Sequence, residues 1–196
     1  MIEKEIREFA KENYIPIVRE KTCELLVEKI KEVNPSKILE VGTAIGYSGI
    51  KMLQNSNATL VTLENDEERK NLALENFEKE NLTKRATVVF GDAFNYIAST
   101  TEKFDFIFLD GPKGQYNKYL PFLIESLQKN GVMFCDNVLF SGFVLSDEDV
   151  PKKHRTMVNN LRKFLSSCKI LQQQGVVLCE LINVEDGILI VKKIKD

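Results

Sequence analysis

Short apolar runs alternate with helical stretches through the middle of this chain, and this alternation constrains the fold more than any other feature. Five of these runs predict buried strands, at residues 38–41, 59–63, 86–90, 104–109 and 132–135, with helical patterns between them. Strands that alternate with helices form right-handed βαβ units. The sequence therefore predicts an α/β fold, in which a mostly parallel sheet has helices on both faces.

The end of the chain departs from this alternation. After a helix predicted at residues 152–166, two strands at 176–182 and 188–194 are joined by a short turn that contains Asp186-Gly187. Asp-Gly between two apolar runs is typical of a β-hairpin, so the last strand should run antiparallel to its neighbour. The 196 residues contain no repeat and no interdomain linker, and residues 1–196 are predicted to form a single domain.

Two helices are predicted within residues 1–34, ahead of the first strand. Apolar side chains have helical spacing in each, and Pro16 separates the two. The first helix has Ile2, Ile6 and Phe9, and the second has Cys23, Leu26, Val27 and Ile30. These helices either pack as structural elements or form a lid over a ligand site, and the sequence leaves both interpretations open.

Two helix boundaries carry local signals. Asn65 with Glu68 three positions later predicts a capping box at the start of a helix that runs to Glu80. Asn130-Gly131 is typical of a left-handed cap and is predicted to end the helix of residues 116–127.

The composition narrows the possible environments and partners. Lysine and arginine number 27 against 29 aspartates and glutamates, a net charge of −2 that gives no general support for a polyanion partner. Four scattered cysteines without a CxxC pair, and one histidine, argue against a zinc site or a disulfide framework. The apolar runs are far shorter than the roughly 20 residues that span a bilayer, and the charged N-terminal stretch does not resemble a signal peptide. We therefore expect a soluble, cytoplasmic protein with no membrane partner.

A glycine-rich turn follows the first strand. Gly42 and Gly46 let the backbone approach a ligand, and the amides at the start of the next helix are free to donate. Glu64 ends the second strand, where such folds have a carboxylate on a ribose diol. The turn lacks the G-x-G-x-x-G spacing of nicotinamide sites and has Glu40 before its first glycine. This pattern favours S-adenosylmethionine, a ligand with a cationic amino-acid end and no pyrophosphate, and a structural turn without a ligand is the alternative.

Two further strands end in side chains that carry oxygen. Asp110 follows the strand at residues 104–109, and Asp136-Asn137 follow the strand at 132–135, so all three should meet at one edge of the sheet. Oxygen ligands with open positions suit Mg²⁺ or another divalent cation. Lys113, three residues after Asp110, is positioned to accept a proton beside that cation. Taken singly, each of these residues is as typical of a turn or an exposed loop.

The segment ILEVGTAIGYS, residues 38–48, resembles the first motif of class I S-adenosylmethionine-dependent methyltransferases. Within it, GTAIGYS is similar to the cation-dependent O-methyltransferases related to catechol O-methyltransferase. The resemblance implies a Rossmann-like, seven-stranded sheet with an antiparallel last strand, and a homodimer. It assigns the methionine moiety to Glu40, Gly42, Ser48 and Asp110, the ribose to Glu64, the adenine to Asp92 and Ala93, and one wall of the pocket to Val18. It also assigns the metal to Asp110, Asp136 and Asn137, and the catalytic proton transfer to Lys113.

Three stretches around these residues, DGPKGQYNKYL, DNVLFSGFV and KKHRTMVNNLRKF, resemble the bacterial tRNA 5-hydroxyuridine methyltransferases. That resemblance implies methylation of a wobble-position 5-hydroxyuridine to 5-methoxyuridine in the tRNA anticodon loop. The 5-hydroxyl and the neighbouring O4 form a two-oxygen chelate like that of a catechol, and an anticodon loop presents its bases unstacked. Lys113, Lys118 and Arg155 are candidate substrate or RNA contacts, and Arg162 is a further cation on the same predicted helix as Arg155.

Other functions remain open from the sequence. A small catechol-like molecule is an alternative acceptor in the same chemistry. A cofactor-binding module without catalysis is a different class, and the intact metal and lysine residues argue against it. Residues 147–149 are acidic, so we do not expect the loop that carries them to contact RNA.

Overall fold

Seven strands form a single sheet in the computed structural model, which describes residues 2–146 and 150–195. In chain order they are β1 (Lys37–Val41), β2 (Thr59–Glu64), β3 (Ala86–Phe90), β4 (Phe104–Leu109), β5 (Leu127–Cys135), β6 (Val177–Ile182) and β7 (Ile188–Lys193). Across the sheet the order is β3-β2-β1-β4-β5-β7-β6. Strands β1 to β5 pair in parallel, and β7 runs antiparallel to both of its neighbours. The predicted mostly parallel sheet with an antiparallel last strand is confirmed.

The order of the strands reverses between β1 and β4. From β1 the sheet extends through β2 and β3 in one direction and through β4 and β5 in the other. Ile38 in β1 is therefore paired with Leu60 on one side and with Phe106 on the other. In open α/β sheets, ligands bind outside the carboxyl ends of the strands at such a switch point.

Helices cover both faces of this sheet. They are α1 (Ile2–Glu12), α2 (Glu20–Val33), α3 (Tyr47–Gln54), α4 (Glu67–Lys79), α5 (Ala93–Ser99), α6 (Tyr116–Ser126) and α7 (Arg155–Gln173), with short 3₁₀ turns at Lys113–Gln115 and Lys152–His154. Buried side chains on one face come from α2, α3 and α4: Ile30, Leu53 and Phe77. Those on the other face come from α6 and α7: Leu123, Leu161 and Phe164. Within the described residues, no helix has the length and apolar character needed to cross a membrane.

The two N-terminal helices differ in how they are held. The apolar stripe of α2 is buried at Cys23, Leu26 and Ile30 and half-buried at Val27. In α1, Ile6 is buried but Phe9 is 40% exposed, and the side chain of Ile2 lies outside the described part. Polar contacts add to the attachment of α1, since Glu3 pairs with Lys51 of α3 at 3.0 Å. The first helix therefore depends less on apolar burial than the second.

The capping box predicted at Asn65 is wrong. The helix α4 has Asp66 as its N-cap, and the Asp66 carboxylate accepts a hydrogen bond of 3.0 Å from the Arg69 amide. The Asn65 amide instead donates to the Glu64 carboxylate at 2.9 Å. Because Glu64 binds the backbone that follows it, the chain enters the helix one residue later than predicted.

Two other helix ends also differ from the predictions. Helix α6 ends at Ser126, because Leu127 already pairs with Phe104 as the first residue of β5. Asn130 is left-handed, with φ 66°, but it lies inside β5 and does not cap the helix. Helix α7 continues past residue 166 to Gln173, because Cys168 extends its buried stripe.

Gly187, in the turn between β6 and β7, is expected to tolerate no side chain. Its φ is +80°, and an added Cβ would lie 2.2 Å from Cγ of the buried Leu139. In Gly187→Ala, backbone strain and overpacking should lower the free energy of unfolding by about 2–4 kcal/mol in urea denaturation. Gly175→Ala is the matched control, since Gly175 has φ +70° and no atom within 4 Å of an added Cβ. The control should lose about 1 kcal/mol, and equal losses would contradict the packing at Gly187.

Candidate active site

A cleft of about 560 Å³ opens at the carboxyl ends of the central strands. The segment between α1 and α2 forms part of its wall through Pro16, Ile17 and Arg19. Many of the predicted site residues line the cleft: Gly42, Glu64, Asp92, Ala93, Asp110, Lys113, Lys118, Asp136 and Asn137. The structure thus brings together residues from five strand ends, and a lid role for the N-terminal helices stays a prediction.

The Gly42 turn lies directly against the backbone of Asp110. Gly42 has φ +104°, and an added Cβ would be 2.6 Å from the Asp110 carbonyl oxygen, so only glycine fits. The amides of Gly42 and Thr43 both donate to the Leu63 carbonyl at 3.1 Å. The turn is therefore attached to the end of β2 and in contact with the end of β4.

The Glu64 carboxylate lines the cleft and is held by three backbone amides. Its Oε2 accepts from Ala44 at 2.8 Å, and its Oε1 accepts from Asn65 at 2.9 Å and Asp66 at 3.0 Å. These bonds fix the direction of the carboxylate, and its oxygens retain lone pairs for further donors. The arrangement can accept hydrogen bonds from a diol such as that of a ribose.

Glu40 and Ser48 lie beneath the turn and not on the surface of the cleft. The buried Glu40 carboxylate accepts hydrogen bonds from Ser48 Oγ at 2.5 Å and Thr62 Oγ1 at 2.6 Å. Burial raises the pKa of Glu40 to about 7; the hydrogen bonds from Ser48 and Thr62 oppose this shift, and the charges of Asp110 and Glu64 add to it. Both residues therefore support the turn from below, and their contact with a methionine moiety stays a prediction.

An aromatic ring lies beside the predicted adenine residues. Asp92 is the N-cap of α5, and its carboxylate accepts from the Phe94 amide at 2.7 Å. The Phe94 ring lines the cleft, with Lys118 Nζ 3.6 Å from the ring centroid. Sequence reasoning missed Phe94, although its place directly after Asp92-Ala93 was an available signal. It also missed Arg69, which lines the cleft without belonging to any motif.

Asp110 and Asp136 occupy equivalent positions at the ends of neighbouring strands. The Asp110 amide donates to the Val41 carbonyl and the Asp136 amide donates to the Leu109 carbonyl, each at 3.0 Å. The backbone pairing of the sheet therefore extends to both aspartates. Lys113 Nζ lies 2.5 Å from Asp110 Oδ1, so the lysine and both carboxylates share one end of the cleft.

Tyr116 holds these two strand ends together from inside the core, a role that the sequence did not reveal. Its fully buried hydroxyl lies 2.9 Å from the Leu109 carbonyl oxygen and 3.1 Å from that of Asp136. The ring packs edge-on against Phe164 of α7, with centroids 5.5 Å apart. Tyr116 is therefore a positioning residue for both aspartates.

The charge balance at Asp136 fits a cation. Burial, followed by the charge of Asp110, raises the pKa of Asp136 to about 7, although Lys113 and the hydrogen bond from Asn137 oppose the shift. Each of the three residues Asp110, Asp136 and Asn137 can supply a side-chain oxygen as a metal ligand, and oxygen is the ligand atom that Mg²⁺ prefers. In the part of the chain that the structure describes, no group of three or more His, Cys, Asp or Glu could hold a metal. A cation here would therefore need water or substrate oxygens beside these three ligands.

Some predicted contacts lie outside the lining of the cleft. Val18 is buried next to Arg19, and Arg155 donates to the Val150 carbonyl at 2.9 Å at the start of α7. Arg162 donates to the carbonyls of residues 143, 144 and 146, so it supports the loop that follows Asn137. The acidic residues 147–149 lie outside the described residues.

Comparisons of sequence and of structure with known proteins point to the same family. A model of the family described as O-methyltransferase matches residues 1–194. Caffeoyl-CoA O-methyltransferase 2 of Petunia hybrida is 26% identical over 173 residues, which cover 79% of this chain and 72% of that protein. The crystal structure of a Staphylococcus aureus protein proposed to be a caffeoyl-CoA O-methyltransferase is similar to this chain, with a TM-score of 0.87 and 29% sequence identity. The superposed residues cover 97% of this chain and 91% of that protein. The O-methyltransferase of Bacillus cereus in complex with SAH has the same fold, with a TM-score of 0.85 at 24% identity over 97% of this chain and 90% of its own.

Replacing Glu40 with glutamine should make the free energy of unfolding less dependent on pH. A raised pKa means that the folded chain holds the proton more tightly than the unfolded chain, so ionisation of Glu40 destabilises the fold as pH rises from about 4.5 to about 7. Relative to wild type, Glu40→Gln should therefore gain about 1–3 kcal/mol between about pH 5 and about pH 8 in urea denaturation. The exposed Glu75→Gln is the control. A difference between Glu40→Gln and wild type that does not change with pH would contradict this interpretation.

Proposed function

The chain belongs to the S-adenosylmethionine-dependent O-methyltransferase family, and from this premise we propose that it methylates a hydroxyl group with the help of a divalent cation held by Asp110, Asp136 and Asn137. One observation carries the proposal: these three residues lie beside Lys113 in the same cleft as Glu64. A cofactor site and an oxygen-ligand site that share one cleft suit transfer of a methyl group to an acceptor oxygen.

We propose that the cofactor lies along the carboxyl edge of the sheet. Asp92 follows β3, Glu64 ends β2, the Gly42 turn follows β1, and Asp110 follows β4. Because these strands are neighbours in this order, their ends match adenine, ribose and methionine in sequence. Asp110 then accepts from the amino group of the methionine moiety, and Phe94 lies beside the adenine.

The proposed reaction is an in-line displacement. The acceptor oxygen bonds to the methyl carbon, the carbon–sulfur bond breaks, and S-adenosylhomocysteine leaves with the electron pair on sulfur. When bound, Mg²⁺ supplies the positive charge that favours ionisation of a hydroxyl and orients two adjacent acceptor oxygens. Lys113 Nζ, in its neutral form, accepts the hydroxyl proton, and Asp110 holds that side chain in place at 2.5 Å. Tyr116 keeps the two strand ends together, which preserves the alignment of the reactants.

For the acceptor we favour the wobble-position 5-hydroxyuridine of a tRNA anticodon loop. Two of the three stretches that resemble the tRNA 5-hydroxyuridine methyltransferases contribute residues to this cleft. The first carries Lys113 and Lys118, the second carries Asp136 and Asn137, and the third carries Arg155 at the start of α7. Lys118 lines the cleft, and its charge suits a phosphate of the RNA.

A small molecule with two adjacent oxygens is the second candidate acceptor. The similarity to plant caffeoyl-CoA O-methyltransferases favours it, since the same metal and lysine would serve a catechol-like acceptor. From the composition we further propose a cytoplasmic location, and from the resemblance a homodimer.

Lys113→Ala should abolish most of the methyl transfer without preventing cofactor binding. Loss of the proton acceptor should lower kcat by about 10²–10⁴-fold, while the Kd for S-adenosylhomocysteine stays within about threefold of wild type in calorimetry. The exposed Lys129→Ala is the matched control and should retain wild-type kcat. Full activity of Lys113→Ala would remove the proposed role of the lysine.

The cation is tested with the same assay on the wild-type protein. Treatment with EDTA should stop methyl transfer, and added Mg²⁺ should restore it, with S-adenosylhomocysteine binding retained throughout. Transfer that continues at the same rate in EDTA would overturn the proposed metal site.

The acceptor is tested by mass spectrometry of tRNA nucleosides from a strain that lacks this protein. We expect 5-methoxyuridine to disappear and 5-hydroxyuridine to accumulate, and a plasmid with the wild-type chain, but not one with Lys113→Ala, to reverse both changes. Purified enzyme should also methylate tRNA from the deletion strain faster than it methylates catechol. Undiminished 5-methoxyuridine in tRNA from the deletion strain, together with turnover of catechol by the purified enzyme, would favour the small-molecule acceptor.

A further inference from the structure

The turn at residues 184–187, between β6 and β7, contacts the N-terminal wall of the cleft. Arg19, which lines the cleft, has Nη2 2.8 Å from Oδ2 of Asp186. The Glu185 carboxylate accepts from the Thr22 amide at 3.0 Å and from the Thr22 hydroxyl at 2.6 Å. The turn itself does not line the cleft. It therefore supports the N-terminal wall from outside, through Arg19 and Thr22 at the start of α2.

The same turn also contacts the loop that follows the proposed metal ligands. The Val138 amide donates to the Gly187 carbonyl at 3.0 Å, and the Leu139 amide donates to the Asp186 carbonyl at 2.8 Å. The Ser141 amide donates to Oδ1 of Asp186 at 3.3 Å. The two oxygens of the Asp186 side chain are thus divided between Arg19 on one wall and the loop after Asn137 on the other.

The loop after Asn137, residues 138–142, is here called the metal-side loop, and its backbone needs such support. Phe140 and Ser141 have φ values of 42° and 52°, and Gly142 follows with φ 80°. Residues other than glycine adopt this left-handed region rarely, and consecutive examples persist only where the surrounding structure holds them. The Asp186 carboxylate is one of the groups that hold this loop.

We propose that Asp186 is a positioning residue for methyl transfer. By binding Arg19 with one oxygen and the Ser141 amide with the other, it sets the separation between the N-terminal wall and the metal-side loop around the bound cofactor. This inference rests on the proposed function of the cleft, because it assigns the two walls to the cofactor and to the metal-bound acceptor.

The turn holds the N-terminal segment by two contacts. Burial alone would raise the pKa of Glu185, but the hydrogen bonds from Thr22 and the charge of Arg19 outweigh it and lower the pKa, so Glu185 accepts from Thr22 as a carboxylate. The Arg19 side chain is 56% exposed, so water and salt screen its ion pair with Asp186, whose side chain is 14% exposed. Loss of the Arg19–Asp186 pair alone should therefore have a modest effect.

Kinetics of four variants test the proposal. Asp186→Asn retains an acceptor for Ser141 but loses the charge for Arg19, so the KM for S-adenosylmethionine should rise about threefold with little change in kcat. Arg19→Ala should have the same effect, and Arg19→Lys should restore part of the affinity. Asp186→Ala loses both contacts, so it should also lower kcat by about tenfold, because a displaced metal-side loop misaligns the acceptor.

The matched control is Glu102→Gln, which breaks a surface ion pair with Lys37 of 2.7 Å, on an element remote from the turn. This variant should change neither KM nor kcat. Amide hydrogen exchange at residues 15–22 should become faster in Arg19→Ala and not in the control, which gives a readout even if Asp186→Ala folds poorly. Calorimetry gives the Kd of each variant for S-adenosylhomocysteine without acceptor or metal. A weaker Kd in Arg19→Ala would therefore support this inference even if the proposed acceptor or metal were wrong. Wild-type KM in Arg19→Ala and Asp186→Asn, together with wild-type exchange rates in Arg19→Ala and wild-type kcat in Asp186→Ala, would overturn the proposal.

Discussion

The cleft depends on one close contact, between the Gly42 turn and the backbone of Asp110. The ends of β1 and β4 are held together by the hydrogen bond from the Asp110 amide to the Val41 carbonyl, and an added Cβ at Gly42 would lie 2.6 Å from the Asp110 carbonyl oxygen. A side chain there would lift the turn away from β4 and separate the part of the cleft lined by Glu64 from the part lined by Asp110 and Asp136. The absence of a side chain at Gly42 therefore keeps the two parts of the cleft together.

The order of the strands converts this contact into a linear site. Each strand end contributes one residue to the edge, in spatial order Asp92, Glu64, Gly42, Asp110 and Asp136. With about 4.8 Å between neighbouring strands, these residues form a row along the edge of the sheet, as the proposed extended binding of the cofactor requires. The spacing of the strands therefore sets the spacing of these residues, and Tyr116 and the turn between β6 and β7 support the end of the row that carries Asp110 and Asp136.

The parts of the site that the sequence predicts are those set by local chemistry. Strands β3 and β4 have their predicted bounds, because apolar runs that end at glycine or at Asp110-Gly-Pro are specified within a few residues. The burial of Glu40, the stacking of Lys118 on Phe94 and the bridging hydroxyl of Tyr116 each depend on segments that meet only in the folded chain. The early end of α6 has the same origin, since pairing of Leu127 with β4 overrides a local cap signal.

The charge of the loaded cleft bears on the acceptor more than the net charge of the chain does. Four acidic and four basic side chains line the cleft and balance: Glu64, Asp92, Asp110 and Asp136 against Arg19, Arg69, Lys113 and Lys118. The proposed cofactor adds one net positive charge and the proposed divalent cation adds two, while Lys113 is neutral when it accepts a proton, so the loaded cleft would be positive by about two charges although the chain carries −2. An ionised acceptor hydroxyl would offset one of these, and a phosphate near the reacting group of the proposed RNA acceptor would offset the other.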